Sequence, residues 1–178
     1  MIGNDIIDLS QARAESDWQR KGWINKIFTQ KEQELITASA AKELIVWLMW
    51  SMKEAAYKIY HREFKEMFYA PQKFICSDIS IADNLATGRV HFDQSVYNTS
   101  SHISSAFIHT VAIIQNNLDN TIVYIQDKTK ATPKHQVPYN LFKDEHGIPY
   151  SKDHHNGSVK NASKSHHGRF EAIVIAKN

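Results

Sequence analysis

The chain has 178 residues, 42% of them hydrophobic and 22% charged, with a formal net charge of +2. At roughly 150 residues per domain this is one globular domain, 1–178, too weakly charged for a nucleic-acid binder. The longest apolar run, 44–50, is far short of the roughly 20 residues that cross a bilayer. With acids where a signal peptide carries lysines and arginines, the N-terminus points to a cytoplasmic protein.

In chain order, 2–7 reads as a short apolar strand interrupted by Asp5. Asp8 then stands at the N-cap position of a helix. A second helix is expected after Thr29, because Thr29 and Glu32 have the capping-box spacing. The strongest helix covers 41–60, rich in Leu, Met, Ala, Glu and Lys and free of Gly and Pro. Beyond it, 74–81, 88–92, 107–115 and 121–126 are β-branched or aromatic runs between polar turns, which read as strands. The segment 131–138 reads as a loop and 151–165 as a polar, mobile stretch, and a last strand covers 170–176. No internal repeat stands out. Helices first and strands afterwards make an α+β domain with antiparallel pairing.

Six glycines and one cysteine, Cys76, come without P-loop, GxGxxG, GxSxG, CxxC or HExxH patterns. Cys76 lies in an apolar strand and is expected to be a small buried hydrophobe. Charge is uneven: residues 1–120 sum to −2 and residues 121–178 to +4, a balance that suits a small polyanionic ligand.

Three groups of residues carry chemistry. A carboxylate inside an apolar strand is costly to bury unpaired, so Asp5 either turns to solvent or binds a cation. On the long helix, Trp47, Trp50, Glu54 and Lys58 recur at i, i+3, i+7 and i+11 and share one stripe. Glu54 and Lys58 are then either a surface pair or the walls of a cleft, the acid for a metal and the lysine for a phosphate. Finally Ser163, Lys164, Ser165, His166, His167 and Arg169 crowd ahead of the last strand. They offer hydroxyls, imidazoles and a guanidinium to an anion such as a ribose phosphate, or else form a polar hairpin tip.

The order of these groups resembles one family. Gly3-Asn4-Asp5 looks like the GxD motif of the 4′-phosphopantetheinyl transferases, and Phe28-Thr29 with Glu32 and Glu34 is similar to its FT…E element. Trp50, Lys53, Glu54, Ala55 and Lys58 match the W/F-x-x-K-E-A-x-x-K signature. Ser165-His166, followed by Arg169-Phe170, resembles the S-H-[ST]-x-x-[YF] element, although Ser101-His102 ahead of 107–114 fits almost as well. The motif order resembles the short holo-acyl-carrier-protein synthase type, which is trimeric with sites between subunits. This chain is longer and could complete a site alone.

The resemblance implies a 4′-phosphopantetheinyl transferase-like α+β fold, N-terminal helices packed on a mainly antiparallel sheet. It implies Mg²⁺-dependent transfer of the 4′-phosphopantetheine group from coenzyme A to a serine of an apo acyl or peptidyl carrier protein, releasing adenosine 3′,5′-bisphosphate. Asp5 and Glu54 would hold the metal, with Asp8 reaching it through water. Glu54, Lys58 and Asp5 would be catalytic, and Lys53, Lys58, Ser165, His166 and Arg169 would contact coenzyme A. Carrier proteins of this kind are acidic, which makes Arg13, Arg20 and Lys21 expected contacts. The nucleophile belongs to the partner, in keeping with the lack of a triad here. Two other readings stay open: an inactive transferase-like interaction protein, and a metal-binding module built on His154, His155, His166 and His167.

Overall fold

The structure is a computed structural model that describes residues 1–68, 70–114, 120–130, 139–153 and 156–177. Its first strand, β1 (Ile2–Asp8), runs straight into α1 (Leu9–Glu15). The Asp8 carboxylate caps that helix, accepting from the backbone N–H groups of Ser10 and Gln11 at 3.0 and 3.3 Å. A short α2 (Trp23–Ile27) follows, then α3 (Gln30–Ala38), which opens on the expected Thr29–Glu32 capping box. The long helix is α4 (Lys42–Phe64), 23 residues.

After a 3-10 turn at Pro71–Lys73 come β2 (Ile75–Ala82), β3 (Leu85–Phe92), β4 (Ser95–Ile103) and β5 (Phe107–Ile113). They join β1 in an antiparallel sheet of order β1-β5-β4-β3-β2. The remaining strands are β6 (Thr121–Asp127), β7 (Tyr139–Lys143), β8 (Pro149–Asp153), β9 (Val159–His167) and β10 (Phe170–Ala176). They form a second antiparallel sheet of order β6-β10-β9-β8-β7.

The two orders are the same, strand for strand, so the fold repeats where the sequence shows no repeat. What sheet topology needs is period-two alternation, which unrelated residues can supply equally well. In the first half the helices fill the connection between its first two strands. The second half makes that connection without any helix in its described residues.

β1 lies at the edge of its sheet with α4 on one face and the second sheet on the other. Its odd-numbered side chains face α4 and its even-numbered ones face β9 and β10. Contact on the α4 face is backbone to backbone: a Cβ on Gly3 would sit 2.0 Å from the Ala55 carbonyl oxygen. That contact is the physical reason for the glycine of the GxD motif. On the other face Ile6 packs with Phe170 and Ala172. The free edge of β1 is closed by side chains, since Ser163 Oγ and His167 Nδ1 accept from the N–H groups of Asn4 and Asp8, both at 2.9 Å. An exposed edge is thereby covered without a further ladder.

Two sequence expectations change here. The stretch 151–165 is no mobile loop throughout, because 159–165 belongs to β9, whose polar side chains serve the β1 edge. β4, rich in Ser, Asn and Thr, carries no apolar run and was not expected as a strand. The segment 131–138 lies outside the described residues. Cys76 is buried as expected, and burial pushes its thiol well up. Among the described residues no helix is long and apolar enough to cross a membrane.

Candidate active site

Alternation along β1 decides which acids meet. Asp5 faces α4, where Lys58 Nζ stands 3.5 Å from its Oδ1 and donates to the Asn4 carbonyl at 2.6 Å. Glu54 lies one helical turn before Lys58 on the same face, and accepts no hydrogen bond from a described residue. Burial and the neighbouring Asp5 charge push Glu54 up to about 7, against the pull of Lys58. Asp5 is raised as well, by burial, with Lys58 opposing. A carboxylate raised by desolvation and by a like charge is one whose charge lacks a partner. Glu54 is such a group, and with Asp5, which Lys58 only partly balances, it fits a hard cation that takes oxygen ligands. Mg²⁺ is held in this way, by one or two carboxylates, with phosphate and water completing its shell. No larger cluster of His, Cys, Asp and Glu gathers among the described residues.

Two clefts meet at Glu54 and Tyr57, and their chemistry is opposite. One, of about 510 Å³, is lined by Trp50, Tyr57, Met67, Phe68, Pro71 and Phe74. The other, of about 440 Å³, lies between α4 and the second sheet, where Lys58, His61, Arg62, Lys143, Lys164 and His166 line it. The first is aromatic and the second is cationic.

The other residues singled out by sequence fall into place around this junction. Alternation along β9 sends His166 into the cationic cleft and Ser165 the opposite way. Ser165 is buried against β1, its Oγ accepting from Asn4 Nδ2 at 3.0 Å. It is therefore turned away from the expected nucleotide. Arg169 lies at the β9–β10 hairpin tip, stacked on Phe170 and reaching Asp127 at 3.6 Å and Asp8 at 3.9 Å, and does not line the cleft.

Lys53 is a correction too. Its side chain is 1% exposed, and its ammonium donates to Glu32 at 2.9 Å and to the carbonyls of Pro71 and Phe74 at 3.1 and 2.5 Å. Three donors meet three oxygens, and none is left for a nucleotide. Glu32 also accepts from the N–H groups of Thr29 and Cys76. The FT…E and K-E-A elements are thus joined by one buried ion pair that fixes the floor of the aromatic cleft.

Asp8, on the even face of β1, is occupied with α1 and with the N–H of Arg169 at 3.2 Å, on the face opposite Asp5. Ser101-His102 lies on β4, with His102 against Asn84 and Phe107 and outside both clefts. Arg13 pairs with Glu43 at 3.0 Å, while Arg20 and Lys21 are exposed. For the histidine module, β9 turns His166 and His167 to opposite faces, so these two cannot converge on one ion. His154 and His155 lie outside the described residues.

A family model described as the 4'-phosphopantetheinyl transferase superfamily matches residues 1–113. The chain belongs to that superfamily. Among curated proteins none matches it. The matched segment ends with β5, so it holds the whole first sheet and the helices, including Asp5, Glu54 and Lys58. The second sheet, which supplies His166, lies beyond it. This makes the chain a member of a superfamily of phosphopantetheine transferases, with Asp5 and Glu54 in the family segment and half of the cationic cleft outside it.

Sequence reasoning missed Tyr57, His61 and Lys143. The first two were accessible, at i+3 and i+7 from Glu54 on the helix. Lys143 reaches the cleft through strand pairing and leaves no local signal, whereas Lys164 stood in the cluster ahead of the last strand.

Proposed function

We propose that the protein transfers the 4′-phosphopantetheine group of coenzyme A to a serine of an apo acyl or peptidyl carrier protein, with Mg²⁺ held by Asp5 and Glu54. The observation that carries this reading is the meeting of the cationic and aromatic clefts at Glu54. Coenzyme A is a polyanionic nucleotide joined through a diphosphate to an uncharged arm of methylenes, methyls and two amides. A donor laid across the junction has its nucleotide in the cationic cleft and its arm in the aromatic one. The bond that breaks then lies beside Asp5, Glu54 and Lys58.

The metal, when bound, would neutralise charge on the diphosphate. Lys58, held by the Asn4 carbonyl, points its ammonium at the same oxygens and stabilises the charge that develops on the departing nucleotide. His166 and His61 flank the nucleotide. The partner's serine oxygen attacks the phosphorus, the diphosphate P–O bond breaks, and adenosine 3′,5′-bisphosphate leaves. Glu54, which accepts no hydrogen bond from a described residue, is the carboxylate that would take the serine proton. Both walls of the cationic cleft come from one chain, so this reading requires no second copy, in contrast to the trimeric short type. The motif order supports a holo-acyl-carrier-protein synthase assignment.

The experiment is intact mass of an apo acyl carrier protein after incubation with the protein, coenzyme A and Mg²⁺, beside an EDTA control. Gain of one phosphopantetheine, lost with EDTA, is expected. No gain with fatty-acid, polyketide and peptide carriers alike would leave the inactive interaction protein as the better reading.

A further inference from the structure

The cationic cleft is longer than the reacting diphosphate needs. We propose that Lys143 of β7, seconded by Lys164 of β9, binds the 3′-phosphate of the nucleotide and makes the second sheet the element that selects a 3′-phosphorylated donor. This rests on the reading of the cleft as a coenzyme A site.

Position is the first argument. Arg62 lies eight residues beyond Glu54, about 12 Å along the axis of α4 at 1.5 Å per residue. Its guanidinium is buried and ties the helix to the second sheet, donating to the Pro149 carbonyl at 2.8 Å, to the Ala162 carbonyl, and to Asn161 Oδ1 at 3.2 Å. Pro149 is the register partner of Lys143. Lys143 is therefore held at the Arg62 level of the cleft, a nucleoside's reach from the diphosphate site at Glu54 and Lys58. Alternation gives Lys143 the same face as Leu141, which packs on the cluster of Ala162 and Ile173. Lys164 and His166 follow Ala162 on that face of β9.

Charge is the second. Lys143 pairs with no described acid. Its chain neighbour Asp144 is matched by Lys65 at 3.5 Å, and Lys164 is shared with Glu171 at 2.9 Å. Arg62 spends its two terminal nitrogens, Nη1 and Nη2, on the sheet, and its Nε is buried. Among the described residues Lys143 is thus an uncommitted cation at the far end of a cleft that also holds Lys58, His61 and His166. An edge strand often carries a lysine merely to discourage pairing, but such a lysine need not line a cleft shared with the reacting groups.

The test compares coenzyme A with 3′-dephospho-coenzyme A as donors for wild type and Lys143→Gln, and measures binding of adenosine 3′,5′-bisphosphate and adenosine 5′-monophosphate by calorimetry. Lys143→Gln should lower kcat/KM for coenzyme A about tenfold and leave the dephospho donor unchanged. It should weaken the bisphosphate about tenfold and the monophosphate hardly at all, a tenfold step being about 1.4 kcal/mol. Lys164→Gln should show the same pattern, more weakly. Equal losses on both members of a pair, or no loss on either, would overturn the proposal. The calorimetric arm stands even if no carrier is modified, so failure of the transfer reading and failure of this one are told apart.

Discussion

Two sheets of identical strand order make up this molecule, and they do different work. The first carries four helices between its first two strands, and with them Glu54, Lys58 and a wall of aromatic residues. The second has no described helix at the equivalent place and contributes cations and the polar side chains that close the edge of β1. One copy of the topology carries, with its helices, the acids of the junction; the other, with no helix among its described residues, lines the cleft with cations. The histidines show the difference most directly. His102 on β4 and His166 on β9 occupy equivalent strands and each follows a serine, yet of the two only His166 lines the cleft that holds Glu54.

The largest expected effect tests the first half. Glu54→Gln should fold normally and lose about a thousandfold in transfer rate, on the scale seen when one preorganised electrostatic group is removed. Activity within tenfold of wild type would break the division of labour described above. Next, His166→Ala should raise the coenzyme A KM about tenfold with little change in kcat, the cost of one charge-assisted contact, while His102→Ala changes neither. The reverse ranking would move the nucleotide to the first sheet.

A smaller effect concerns the seam between the sheets, where His109 is 3% exposed, its Nε2 3.2 Å from Asn4 Nδ2. Burial, aided by the Lys58 and His102 charges, pushes its imidazole down from 6.5 to about 4. The unfolded chain then binds the proton first, so the stability His109 contributes is complete above pH 6.5 and is lost as pH falls toward 4. The loss is on the order of 3 kcal/mol at 1.36 kcal/mol per pH unit. Thermal melts of wild type and His109→Gln at pH 7.5 and pH 4.5 check this. The variant should lose less Tm on acidification, and equal losses would place the acid sensitivity elsewhere.

The helical half was legible because its signals are local. The Thr29 capping box, the Asp8 cap and the stripe of Glu54 and Lys58 lie within a few residues of what they act on. β9 was illegible for the opposite reason. Its serines look like loop residues until β1, about 160 positions earlier, is set beside them. Alternation turns Ser165 and His166 to opposite faces of β9, but only the register against β1 tells which of them is buried there. Lys53 misled because its motif neighbour Glu54 faces the site; about 100° further round the helix, it meets Glu32 instead. Aspartates in GxD and its surroundings likewise split by parity, Asp5 to the helix and Asp8 to the cap.

The side-chain closure of the β1 edge also sets an order of assembly. The N–H groups of Asn4 and Asp8 find their partners 159 positions away, among the longest separations a chain of this size allows. During synthesis β1 is made first, yet its outer edge stays open until β9 has emerged and docked. Such non-local closure is slow, and an open edge is a site for wrong pairing while it lasts. The first strand of the fold is thus among the last to be completed, and amide exchange at Asn4 and Asp8 would time the moment when the two halves join.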